Sequence, residues 1–261
     1  MVGLVALGCV ATGCGSSSPK GTTTSSTASS STSASGTRRT RSIVALGDSG
    51  PHGTNCDCRP YPPLSADGLA ASSGQTVRAT NDSVAGYTTA NVLEQLKSDG
   101  NVIGHVRAAD AVEIEVGAND VAYNTDSCGT SVDCYAPRIP TIEKNLAAIV
   151  SRVHDLTSGH QVLVVLLDYW SVWLGGQYAA AKGEAYVDAA AKVTDEVNAA
   201  IKSAADKSGS AYVDLRAAFK GPDYAYDETH YLSSDGDHPN AAGHQQIATA
   251  TQAVIEQALQ L

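Results

Sequence analysis

Two short segments place groups that could break an acyl bond. Gly47-Asp48-Ser49-Gly50 sets a hydroxyl between glycines, and Asp235-Gly236-Asp237-His238-Pro239-Asn240 sets an imidazole three residues after a carboxylate. A serine hydroxyl is a weak nucleophile at neutral pH and needs a base. Histidine titrates in the right range, and a carboxylate fixes its tautomer and steadies the imidazolium. An Asp three residues before a His in one loop can fold back onto Nδ1. Two further segments offer donors for a developing oxyanion: the backbone N–H of Gly86, within Asn81 to Thr89, and the side-chain amide of Asn119, within Gly117-Ala118-Asn119-Asp120. One such donor is worth about 2.7–4 kcal/mol in the transition state.

Each segment also has an ordinary structural role open to it. Asp48 or Ser49 can cap a helix after a glycine turn. Gly86 can be a loop glycine before a helix capped by Thr88 or Thr89. Asn119 can close an Asx turn, and Asp120 is read as structural. A metal site of Asp235, Asp237 and His238 lacks the regular oxygen spacing of a calcium loop.

The elements that must position these residues alternate strand with helix. Ser42 to Leu46, residues 76–80, 110–116, the continuous apolar run 161–167 and 210–215 read as strands. Runs buried on both faces suit a parallel sheet covered by helices. Ile142, Leu146, Ile149 and Val153 recur at helical spacing, as do Tyr186, Ala190, Val193, Val197 and Ile201 within Gly183 to Lys207. Ile247, Ala250 and Val254 mark a last helix after Asn240. Such alternation predicts a doubly wound α/β fold, with ligands beyond the carboxyl ends of the strands.

The ordered set is GDS after the first strand, a glycine after the second, GxND after the third and DxxH before the last helix. It resembles the four blocks of the SGNH (GDSL-type) hydrolase family, over essentially all of residues 42–261. The resemblance implies a three-layer α/β/α, flavodoxin-like fold with a five-stranded parallel sheet. It also implies ester hydrolysis through an acyl-enzyme without metal or other cofactor. By motif, Ser49 is the nucleophile, His238 the base and then acid, and Asp235 its orienter. The oxyanion hole is Ser49 N–H, Gly86 N–H and the Asn119 side chain. Gly50 departs from the Leu or aromatic residue often found after the serine, Ala85 stands where a Ser is common, and Asp237 is a competing acid two residues nearer the histidine in the chain.

Composition sets the surroundings. The net charge of -10 disfavours nucleic acid. Residues 15–41 are Ser/Thr-rich with almost no apolar side chain and read as a disordered tether. Residues 1–14 read as a signal peptide, apolar but too short to span a bilayer, ending in a lipobox-like Ala-Thr-Gly-Cys with Cys14 as the lipidated residue. Cys9 fits the same pattern loosely. The expectation is a secreted or cell-surface monomer that meets the membrane only through that anchor. Cys56, Cys58, Cys128 and Cys134 remain in the domain and allow three pairings. Bridging Cys128 to Cys134 closes a short loop, worth roughly 2 kcal/mol, and is similar to cysteine-stapled insertions in secreted members of the family. Cys56 and Cys58 are expected to pair elsewhere or stay free, and a zinc site there would have His52 as its only supplement.

The substrate expected is a small-molecule or glycan-linked ester, with short or carbohydrate-linked acyl groups favoured because no long apolar run reads as a lid. A binding module without turnover, and acyl transfer by the same residues, are the alternatives.

Overall fold

The computed structural model describes residues 40–260. The segments assigned to a leader and to most of the tether, Cys14 included, lie outside the described residues. In chain order the elements are β1 (Thr40–Gly47), α1 (Ser49–His52), α2 (Tyr61–Ser73), β2 (Thr76–Asn81), α3 (Thr89–Ser98), α4 (Gly100–Arg107), β3 (Ala111–Glu115), α5 (Val132–Tyr135), α6 (Ile139–Leu156), β4 (Leu163–Leu167), α7 (Gly176–Ala180), α8 (Glu184–Ser208), β5 (Ala211–Val213), α9 (Leu215–Lys220) and α10 (Ala241–Leu259). The five strands form one sheet in the order β2-β1-β3-β4-β5, and every pair is parallel.

Period-two side-chain alternation divides the interior. Val44, Leu46, Val112, Ile114, Val164 and Leu166 face a cluster with α3, α4, α6 and α8. Ile43, Ala111, Val165, Leu167 and Val213 face α2, α9 and α10. The stripe Ile142, Leu146, Ile149 and Val153 is fully buried along α6, each side chain contributing about 1.5–3 kcal/mol relative to exposure.

The fold is the α/β/α arrangement expected, with local corrections. Thr40 and Arg41, assigned to the tether, pair with Thr76 and Val77 and so belong to the sheet. The fifth strand stops at Val213 rather than 215, because the Asp214 carboxylate accepts from Ala217 N and starts α9. Helix α2 carries no clean apolar stripe in its sequence, being entered through Pro60 and Pro62 and buried through Tyr61, Pro62, Ser65, Ala66 and Leu69. Cys56 and Cys58 pair with each other, and Cys128 with Cys134. The loop allows the first bridge because Asn55 and Asp57 both adopt positive φ, bringing the two Cα atoms to 5.0 Å. Between α9 and the last loop, residues 222–227 form an exposed connection. Among the described residues no helix is long and apolar enough to cross a membrane.

Candidate active site

Strand β1 ends at Gly47, whose φ of 153° and contact with β3 exclude a side chain: a Cβ would lie 2.1 Å from Glu115 O. The chain turns there into α1, with the Asp48 carboxylate accepting from Gly50 N at 3.1 Å. Ser49 is the first residue of α1. First-turn N–H groups have no acceptor within their own helix, so the Ser49 N–H is available to a ligand.

The histidine loop is fixed at both ends. Ser233 N donates to His238 O at 2.8 Å, and Asn240 Nδ2 donates to His230 O and Leu232 O while its Oδ1 caps α10. Gly236, at φ 76°, packs where any Cβ would strike Tyr178. Inside this loop Asp235 Oδ2 lies 2.7 Å from His238 Nδ1, while Asp237 Oδ2 is 4.0 Å away. The acid in contact with the ring is therefore Asp235. Its Oδ1 accepts from the N–H groups of Asp237 and His238. Asn55 Nδ2, 180 positions earlier, donates to its Oδ2 at 2.5 Å. Burial pushes the Asp235 carboxyl up, but the bonds from Asn55, His238 and the two N–H groups outweigh it and hold it down at about 2. An ionised carboxylate only accepts, so Nδ1 carries the proton and Nε2 is left as an acceptor.

Ser49, Asn119 and His238 line one cavity of about 360 Å³, with Asp48, Gly50, Glu115 and Asp237 also in its wall. Asn119 stands on a short 3-10 turn after β3 and donates to Tyr87 O at 3.0 Å, which leaves its second amide hydrogen for the cavity. Asp120 accepts from Thr89 N and Oγ1 and secures α3. Gly86 is exposed in the adjoining loop at φ 81° and is not among the residues lining the cavity. The opposite wall is aromatic. Tyr123, Trp173 and Tyr186 meet edge-on or tilted at 4.9–5.6 Å between ring centres, and Trp173 Nε1 donates to Val121 O. Tyr135, directly after Cys134, packs edge-on against Trp173.

The family model for the GDSL-like lipase/acylhydrolase family matches residues 45–246. The chain belongs to that family. It is a carboxylic-ester hydrolase. Comparison with curated proteins gives no match. Among solved structures, it is similar to the lipase Lip_vut3 from a goat rumen metagenome (TM-score 0.65, 19% identity, covering 82% of this chain and 97% of that one). It is also similar to TesA (0.58, 18%, 83% and 99%). A third is Axe2, an acetylxylan esterase from Geobacillus stearothermophilus (0.58, 19%, 82% and 94%). At these identities the likeness is one of fold.

Within this family member the unusual Gly50 has a structural cause. A Cβ there would lie 2.3 Å from Glu115 Oε1, so a buried carboxyl fills the space that a larger side chain would take. The interior beneath the serine is crowded with such groups. Burial pushes Asp48 up to about 7, against hydrogen bonds from Tyr169 Oη at 2.6 Å and from Gly50 N. Burial alone pushes Glu113 to about 8, and burial with the neighbouring Asp48 charge raises Glu115. Asp168 is likewise raised by burial, to about 7, although Tyr212 Oη and the N–H groups of Leu215 and Arg216 bond to it. Asn55 and the Asp48–Tyr169 pair carried no sequence signal, since both are contacts between distant segments with no local motif.

Proposed function

We propose that Ser49, His238 and Asp235 form the catalytic triad, and that the enzyme cleaves short-chain or carbohydrate-linked carboxylic esters through an acyl-enzyme. The observation that carries this is the shared cavity of Ser49, His238 and Asn119, with Asp235 bonded to the far side of the imidazole. Ser49 Oγ attacks the carbonyl carbon as its proton passes to His238 Nε2. The tetrahedral oxyanion is held by Ser49 N–H and the free Asn119 amide hydrogen, with Gly86 N–H as the third donor that the motif order implies. Collapse breaks the carbon–oxygen bond to the alcohol, which leaves with the proton from His238. Water then repeats the sequence on the acyl-serine. Asp235, ionised down to about pH 2, offsets the imidazolium charge throughout.

Support for the substrate class comes from the cavity. Its volume lies at the low end of ligand sites, and Tyr123, Trp173 and Tyr186 give it an aromatic wall that suits a sugar or a short acyl group better than a long alkyl chain. Support for export comes from the leader-like residues 1–14 and from two disulfides, which persist in oxidising compartments.

The test is labelling of the folded protein with a fluorophosphonate, followed by peptide mass spectrometry. One adduct per chain on Ser49, absent in Ser49→Ala and much slowed in His238→Ala, is expected. A folded protein that takes no adduct would overturn the triad and favour a binding role.

A further inference from the structure

His244 sits in the first turn of α10, 0% exposed, and neither of its ring nitrogens has a partner among the described residues. Leaving a buried polar group unpaired costs about 1–3 kcal/mol, so an imidazole so placed calls for a ligand. Tyr61 covers one face of the ring at 6.4 Å without bonding to it. The sulfurs of Cys56 and Cys58 lie beside it: a ring nitrogen and the two Sγ atoms all fall within 4.8 Å of one another. His52, the supplement expected from sequence, is instead exposed and turned toward Thr54 Oγ1 at 3.3 Å.

We propose that Cys56, Cys58 and His244 form a latent binding site for a thiophilic d10 cation, copper(I) or zinc(II), which opens when the Cys56–Cys58 disulfide is reduced. Two thiolates and one imidazole are soft and borderline donors that select these ions over magnesium or calcium. Three donors complete a trigonal copper(I) site, and zinc(II) would add a water as its fourth ligand. A dithiol or phosphine reductant supplies two electrons to the S–S bond, and the sulfurs take up two protons. Metal binding then releases both protons to solvent as the thiolates coordinate. Because one residue separates the cysteines, the disulfide closes a very small ring, and Cys56 and Cys58 are half-buried, within reach of small reductants.

The site is tested on the folded full chain, reduced anaerobically with a phosphine and then freed of it. Copper(I) and zinc(II) are titrated separately against a chromophoric competitor. The expected result is one ion per reduced chain for at least one of the two metals, with X-ray absorption showing two sulfur neighbours and one nitrogen. Affinity should fall at least 100-fold in Cys56→Ser and in His244→Gln, while Cys128→Ser/Cys134→Ser binds as wild type and the oxidised protein binds neither ion. Circular dichroism confirms that each variant is folded, and Cys56→Ser, on a loop, keeps the test open should His244→Gln unfold. Binding that survives both Cys56→Ser and His244→Gln, that follows Cys128 and Cys134, or that is equal in the oxidised protein would overturn the proposal, as would absence of binding to either metal.

Discussion

The rim and the floor of the cavity treat the same carboxyl group in opposite ways. On the rim, Asp235 accepts four hydrogen bonds and is held down at about 2. On the floor, Asp48 is fully buried with two bonds and is pushed up to about 7; deeper along β3, Glu113, with no bond to either oxygen, is pushed up to about 8. Charge is kept where donors converge and surrendered where only burial acts. On the proposed mechanism the rim bears on turnover, whereas the buried carboxyls bear on stability.

The contrast can be broken most forcefully at the rim. Asp235→Asn should lower kcat by about 10⁴-fold with the fold intact, because the imidazole loses its tautomer lock; steady-state kinetics with circular dichroism measure both. Asn119→Ala should lower kcat by roughly 100- to 1000-fold, and wild-type turnover would remove Asn119 from the mechanism. Asn55→Ala removes one of the bonds that depress Asp235, so its carboxyl rises toward the ordinary range. The carboxyl stays ionised near neutrality, so the expectation is a higher Asp235 titration midpoint by NMR, with a smaller loss of kcat/KM at pH 7 than either substitution above.

The buried carboxyl deeper along β3 gives the smaller effect and a different readout. Glu113 holds its proton more tightly folded than unfolded, so the folded state binds the extra proton between about pH 4.5 and 8. Stability is then greatest at the acid end of that window and declines as pH rises through it. Glu113→Gln should flatten the decline, adding of order 2 kcal/mol at pH 9 and little at pH 5, as denaturant melts at the two values would show. Equal gains at both values would mean that packing, not ionisation, governs the site.

How much of this was legible in the sequence follows from the distance over which each feature is written. The strands were readable because their apolar runs are local, and the Asp235–His238 bond because its partners are three residues apart. The order of four motifs sufficed to name the family, since the parallel sheet brings successive strand ends to one edge. The Asn55–Asp235 clamp, the Asp48–Tyr169 pair and the Glu115 carboxyl against Gly50 join segments 65 to 180 positions apart. No periodicity connects them. The bridge between Cys56 and Cys58 was missed because it depends on positive φ at Asn55 and Asp57, which residue type permits but does not announce.

The exposed stretch 222–227 divides the machinery unequally. Everything before it includes the whole sheet, Ser49 and Asn119; the piece after it holds Asp235, His238 and α10. A chain nicked there would divide the cavity between two fragments, Ser49 and Asn119 on one and His238 with Asp235 on the other, and the face of the sheet under α10 would need the shorter piece to cover it. Activity would then depend on the concentration of the shorter fragment, so that hydrolysis could report the meeting of any two partners fused to the halves.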